Sequence, residues 1–389
     1  MIRYRPLARA LVLLSALATA ACAPMGPGGG GAVDPDAPVE IALLVPLGSS
    51  DPQREGLGQG LANAAELARQ DVRDVDLRIT VHPTGGTPEQ ARAAASAAVE
   101  AGADVVLGPL FSDSTIAAAP VAQGAGLQVL SFSNNPDVAG GNVFLLGTSF
   151  RTAAERIAGY TIAQGLTQVA IVHPEGAEGE LARQAVADAV ARAGGTVVGS
   201  AGYPLSVQGI TENMPAIARQ VRGSGANVVV LTDGPTGGLA FVAETLRGLG
   251  VRQQAVQFAG LQRWDTSPQT LSQPALDRGW FPAPDPATAG AFAGRYEAAY
   301  GAAPHPLAGL GYDGIAAIAA LVAEARAEGS SDPFSTTRLT KPSGFAGALG
   351  IFRFNGDGTG DRALAVFAVT DDTALPIDPA RRSFGADGS

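Results

Sequence analysis

Residues 102–115 read GADVVLGPLFSDST: an apolar strand that breaks at Gly108-Pro109 and passes within a few residues into hydroxyls and a helix-like TIAAAPVAQ. A buried strand followed at once by a helix is half of a βαβ unit. Such a turn presents backbone N–H groups and small polar side chains at the sheet edge.

Outward from this stretch the same rhythm holds. VEIALLVPL (39–47) and DLRITVH (76–82) read as strands, LANAAELARQ (61–70) and TPEQARAAASAAVEAG (87–102) as helices. Thr87, Pro88 and Gln90 give the second helix a capping-box start. Strands LQVLSFS (127–133) and NVFLLGTS (142–149) follow a helix at 114–124. The alternation then repeats. QVAIVHP (168–174), TVVGSAGYP (196–204), NVVVLTDG (227–234) and AVQFAG (255–260) are strands, each set off by a helical stretch. The pattern predicts an α/β protein of two doubly wound, Rossmann-like lobes with parallel sheets.

Past residue 260 the rhythm loosens. GWFPAPDP (279–286) reads as a strand leaving into a loop, 289–301 and 305–329 as helices that complete the first lobe. ALGIFRF (348–354) and RALAVFAVT (362–370) read as a hairpin on the second lobe. The expected division is 39–150 with 265–342 for the first lobe and 151–264 with 343–374 for the second. Crossings fall near 148–151, 260–265 and 341–347, and 375–389 reads as a flexible tail.

The whole chain has 389 residues, 46% hydrophobic and 16% charged, which suits two compact domains. The net charge is −10, and 25 of the 26 basic residues are arginines scattered without clustering. Phosphate-backbone binding needs a basic stripe, so nucleic acid is excluded as a partner. Arg3, Arg5 and Arg9 precede the apolar run ALVLLSALATAA (10–21), the layout of a secretory signal peptide over 1–21. The run ends at Cys22, the sole cysteine, so no intramolecular disulfide is available. Residues 23–38, APMGPGGGGAVDPDAP, are too poor in apolar bulk to fold and read as a linker.

Several chemistries are absent. GLGQG (56–60) follows its strand too late, and Leu61 stands at the third glycine position of a dinucleotide fingerprint. NGDGTGD (355–361) has the alternating oxygens of a calcium loop, but Val366 replaces the bidentate acid, so it reads as a polar turn. His82, His173 and His305 are isolated, and no HExxH, GxSxG or Walker sequence occurs. Neither an enzyme, a metal nor a cofactor is expected.

IALLVPLG, GADVVLGPLFSDST, LQVLSFSNNP, GNVFLLGTS, AYGAAPHPLAGLGYDG and FRFNGDG together resemble the successive motifs of type I periplasmic binding proteins of the branched-chain amino-acid class. The resemblance covers 39–370. It implies two lobes joined by three crossovers that act as hinges and close on a ligand. Carried over residue by residue, it implies a ligand-facing cleft built from Ser112, Ser114, Ser133, Asn134 and Asn135. Ser112 takes the place that holds a carboxylate, and Asp113 stands where the family has glycine. For the ammonium, the resemblance places Glu178 and Thr236 at the positions of the family's second-lobe tyrosine and acid. Glu178 or Asp233 is a substitute counter-charge, and the aromatic residue is missing.

Thr19-Ala-Ala-Cys22 is similar to a bacterial lipobox, which implies lipidation at Cys22, and Ala23 after it implies the outer membrane. With GPLFS and LSFSNN, this is similar to the lipoproteins called penicillin-binding-protein activators. That resemblance implies an outer-membrane-anchored periplasmic regulator of a peptidoglycan synthase, a penicillin-binding protein. The other expectation is a receptor that delivers a small polar or amide-bearing molecule to an ABC permease.

Overall fold

The computed structural model describes residues 33–34, 37–252 and 254–385. The expected signal peptide, Cys22 and most of the linker lie outside the described residues. The first lobe runs β1 (Val39–Val45), α1 (Pro52–Asp71), β2 (Leu77–Pro83), α2 (Pro88–Glu100), β3 (Val105–Leu107), α3 (Ser112–Gly124), β4 (Val129–Ser131) and β5 (Val143–Leu145). The strands form a parallel sheet in the order β2-β1-β3-β4-β5. Its central strands are covered on both faces, as parallel sheets require. Ile41, Leu43 and Val45 point into one core, Ala42 and Leu44 into the other. Fully burying each such Val or Leu contributes about 1.5–3 kcal/mol. Small residues on α2 (Ala91, Ala94, Ala95, Ala98) and α3 (Ala117, Ala118, Ala122) let these two helices pack closely on one face.

The second lobe follows with α4 (Phe150–Ala163), β6 (Gln168–Pro174), α5 (Ala177–Arg192), β7 (Thr196–Tyr203), α6 (Val207–Gly223), β8 (Val228–Leu231), α7 (Leu239–Gly248), β9 (Gln257–Gly260), a single-turn α8 (Pro268–Leu271) and β10 (Trp280–Ala283). After it come α9 (Pro286–Tyr300), α10 (Gly309–Ala327), β11 (Phe345–Gly347), β12 (Gly350–Phe354), β13 (Gly360–Arg362), β14 (Ala365–Thr370) and β15 (Thr373–Asp378). The second sheet has the order β15-β14-β10-β9-β8-β6-β7, with β14 and β15 antiparallel.

Here the structure departs from the sequence expectation in four places. β10 pairs with β9 and β14, so 265–283 belongs to the second lobe rather than the first. α9 and α10 are not among these departures: they pack on α1 of the first lobe, where a Cβ on Gly311 would stand 2.3 Å from the Leu61 carbonyl. The expected 348–354/362–370 hairpin does not form. β12 pairs instead with β11 and β13, and Phe345, Phe352 and Phe354 enter the first-lobe core, while β14 joins the second sheet. Residues 375–378 are not a loose tail but part of β15, and Phe384 beyond them is buried with Arg353 over its ring. At the other end, Val33 of the expected linker is buried in the first lobe and donates to the Ser331 carbonyl at 2.8 Å.

Segments 146–149, 284–285 and 363–364 carry the chain between the lobes. The first and third are flanked by charge pairs that no periodicity announces. Arg362 Nη1 lies 2.7 Å from Asp313 Oδ2, with both side chains almost wholly buried, and Arg362 Nη2 donates to the Leu146 carbonyl. Asp313 Oδ1 accepts from Leu349 N, so one pair ties α10, β13 and the first crossover. Burial raises the Asp313 carboxyl above the ordinary carboxylate range, against the pull of Arg362. Nearby, Arg151 and Arg353 both pair with Asp361, at 2.8 and 3.1 Å.

Candidate functional site

In an open parallel sheet, ligands bind beyond the carboxyl ends of the strands, where the strand order reverses. In the first lobe that point lies between β1 and β3, and in the second between β6 and β8. The loops leaving β3 and β6 lead into helices whose first turns carry Ser112 and Glu178, and the loop leaving β8 carries Asp233.

The first-lobe corner begins at Gly108, whose φ is +94° and whose missing Cβ would lie 2.2 Å from the Leu44 carbonyl. Only glycine fits, and it brings the turn tight against β1. Thr115 Oγ1 lies 2.9 Å from Ser131 Oγ, which donates to the Pro109 carbonyl and accepts from Ser133 N at 3.1 Å. Ser133 Oγ accepts from Asn135 N at 3.2 Å and lies 3.1 Å from Ser112 Oγ. That last pair holds two hydroxyl hydrogens and one mutual contact, so one O–H remains to donate elsewhere. Either hydroxyl can donate in that contact, and of the two Ser112 is half-buried and Ser133 buried.

The other expected first-lobe residues divide. Ser114 is fully buried, its N–H donating to Asp113 Oδ1 at 2.7 Å and its hydroxyl to the same oxygen at 3.5 Å, so it is not available to a ligand. Asn135 Oδ1 caps the short 136–138 turn by accepting from Asp137 N, a structural task. Asn134 is exposed and keeps its amide free. Arg54, next to this corner, lies over the Phe111 ring and is engaged by Asp51 and the Gly86 carbonyl.

In the second lobe Asp233 is buried and already satisfied. Its Oδ1 accepts from Gly234 N at 2.8 Å, and its Oδ2 accepts from Gly238 N at 2.5 Å and from the Tyr203 hydroxyl at 3.0 Å. Burial, reinforced by Asp233, pushes the Tyr203 phenol well above its ordinary range, so it stays a donor. An aromatic side chain thus stands beside Asp233, although it is not at the position that the resemblance gives to the family's tyrosine, which Glu178 holds. Tyr203 ends β7 and meets Asp233 at the end of β8, a pairing across 30 positions that strand patterning alone does not reveal. Its one visible signal was a tyrosine closing an otherwise small-residue strand before Pro204. Glu178, in the first turn of α5, and Thr236, in the 232–238 loop, are exposed, and neither is among the hydrogen-bond partners of this pair.

The lobes meet around a cavity of about 110 Å³. Pro136 and Leu145 line it from the first lobe, Leu181 and Ala185 from α5, and Phe150 from the start of α4. The segment after Asn135 and the helix turn after Glu178 therefore both line one space. Among the described residues no group of three His, Cys, Asp or Glu side chains is placed to hold a metal, and no helix is long and apolar enough to cross a membrane.

A family model described as periplasmic binding protein matches residues 38–374. The chain belongs to the periplasmic binding protein family. No curated protein matches it. Among solved structures, this periplasmic binding protein is similar to a putative branched-chain amino acid ABC transporter protein from Rhodospirillum rubrum, at 21% identity and a TM-score of 0.76, over 88% of this chain and 100% of that one. It is also similar to an ABC transporter substrate-binding protein from Desulfitobacterium hafniense in complex with Leu, at 22% identity and a TM-score of 0.66, over 88% and 100% of the chains. A solute binding protein from R. palustris in complex with benzoate matches at 18% identity and a TM-score of 0.62, over 90% and 98%. At such identities the likeness is one of fold, and function has to be argued from the site.

Proposed function

We propose that this periplasmic binding protein holds a small solute between its lobes and presents it to an ABC permease. The observation that carries the reading is the Ser112–Ser133 pair, which leaves a hydroxyl donor unspent at the carboxyl end of β3. The solute-binding neighbours and the matched family support the same role. The test is calorimetry of the purified chain against amino acids, aromatic acids, amides and polyols. Saturable binding that weakens about tenfold in Ser112→Ala is the expected result, as for loss of one ligand hydrogen bond. A wild-type chain that binds none of them overturns the reading.

A second reading rests on a different observation. Leu205 and Val207 at the start of α6, Phe241 in α7 and Ile116 in α3 are large apolar side chains left exposed, Val207 by 73%. Exposed apolar residues on both lobes suit a protein partner. Under this reading that partner is a penicillin-binding protein, with Cys22 lipidated and the chain held at the outer membrane. Membrane fractionation and the mass of the mature N-terminus test the anchor, and recovery of the synthase with the chain tests the partner.

A further inference from the structure

The polar turn 355–361, between β12 and β13, spends much of its chemistry on its own shape. Asp357 Oδ1 accepts from Thr359 N at 2.9 Å and from the Thr359 hydroxyl at 2.6 Å, and Asn355 Nδ2 donates to Thr359 Oγ1 at 3.1 Å. The turn so fixed lies between the lobes. On the first-lobe side the Gly358 carbonyl accepts from Leu145 N at 2.9 Å. A Cβ on Gly358 would stand 2.3 Å from the Val143 carbonyl, so the turn is set backbone to backbone on β5. On the second-lobe side it meets the first turn of α4. Thr152 Oγ1 donates to the Gly360 carbonyl at 3.3 Å, and Arg151 Nη2 donates to Asp361 Oδ1 at 2.8 Å. The other oxygen of Asp361 takes Arg353 of β12 at 3.1 Å. One carboxylate thus joins an arginine from each lobe.

Two further bonds cross-link the crossovers. The Leu146 carbonyl of the first accepts from Arg362 at the end of β13, and the Leu364 carbonyl of the third accepts from Arg156 of α4 at 2.6 Å. The Arg362–Asp313 pair is almost wholly buried, where salt screens little. The Arg151 and Asp361 side chains are 37% and 17% exposed, so salt weakens their contact more. Packing does not take over at this place. The cavity of about 110 Å³ adjoins the contact, lined by Leu145 and Thr359 from the first-lobe side and by Phe150 and Leu181 from the second. A close-packed joint would be held without charge, whereas this one has room to move.

We propose that Asp361 is a charge latch between the lobes. Bound to Arg151, it holds the lobes in their present arrangement, and its release frees them to move about the first and third crossovers. The latch acts whichever solute or partner the cleft takes, so it is tested on the ligand-free protein. The full chain carries Cys22→Ser, which removes its sole cysteine, and spin labels on Glu89→Cys of α2 and Glu212→Cys of α6, both exposed. Pulsed electron resonance then gives the distance distribution between the lobes. The unsubstituted latch is compared with Arg151→Gln, Arg151→Lys and Asp361→Asn at about 10 mM and about 1 M salt, across which the screening length falls from about 30 Å to about 3 Å. The expected result is a narrow distribution at low salt for the unsubstituted latch and Arg151→Lys, broadening at high salt. Arg151→Gln and Asp361→Asn are expected to be broad at both. An unsubstituted latch indifferent to salt, or a low-salt distribution that Arg151→Gln leaves unchanged, overturns the proposal. Equal broadening by Arg151→Lys and Arg151→Gln overturns it too, since the shape of the side chain and not its charge would then hold the lobes. The salt series needs no substitution at the latch, so it decides the matter even where a variant unfolds.

Discussion

Neutral hydroxyls hold the first-lobe corner, with Thr115, Ser131, Ser133 and Ser112 linked through contacts of 2.9–3.1 Å, whereas the second-lobe corner is organised by one buried carboxylate. Asp233 gathers two glycine N–H groups and a phenol, and fixes the loop into α7. Both corners follow strands at the switch point of their sheets, and both are built from short polar residues. The difference lies in what is left over. Hydroxyls both donate and accept, and in the Ser112–Ser133 pair two hydrogens meet in one mutual contact, so one is left to spare. A carboxylate that only accepts, once buried and supplied with donors, has nothing to offer a visitor. Under the proposed function the first corner is the contact surface, and the second, whose carboxylate is already engaged, a scaffold.

This contrast is broken most severely at Asp233. Asp233→Ala leaves the Tyr203 hydroxyl and two N–H groups without their acceptor in a buried place. Urea unfolding is expected to show a loss of roughly 3 kcal/mol or more. A loss below about 1 kcal/mol would mean that the carboxylate is not the anchor of the 232–238 loop. Tyr203→Phe removes one bond to a charged group and keeps the ring, so about 1.5–2 kcal/mol is expected from the same measurement. Ser131→Ala takes away a neutral hydroxyl that serves Pro109, Thr115 and Ser133, with an expected cost of about 1 kcal/mol. Were Ser131→Ala to cost more than Tyr203→Phe, the distinction between a charged scaffold and a neutral contact corner would fail.

Much of the fold was legible in the sequence because parallel strands covered on both faces must be apolar throughout. VVL at 105–107 and VVVL at 228–231 carry that pattern with helices of compatible length between them. The lobe assignment of WFPA at 280–283 was not legible, since a short apolar run fits any sheet with a vacant neighbour. Its place was settled by pairing with β9 and β14. The same holds for the phenylalanines at 345, 352 and 354, whose alternation marks a strand but not which core receives them. At the site, Ser112 and Ser133 were legible from their position after the β3 and β4 strands. The fates of Ser114 and Asn135 were not, because a hydroxyl or amide is spent or free according to neighbours a few ångströms away.

By itself the sequence determined the layered α/β architecture, the strand-to-helix turn at Gly108-Pro109 and the polar residue types that follow it. These depend on local periodicity and on backbone freedom, which a residue carries with it. Only the tertiary structure decided which of those polar groups remain available. It joined Tyr203 to Asp233, paired Arg362 with Asp313 in the hinge, and put the Asp113 carboxylate on the Ser114 N–H. Whether a donor or an acceptor is satisfied is a property of distance and burial, and those are set only when the elements pack.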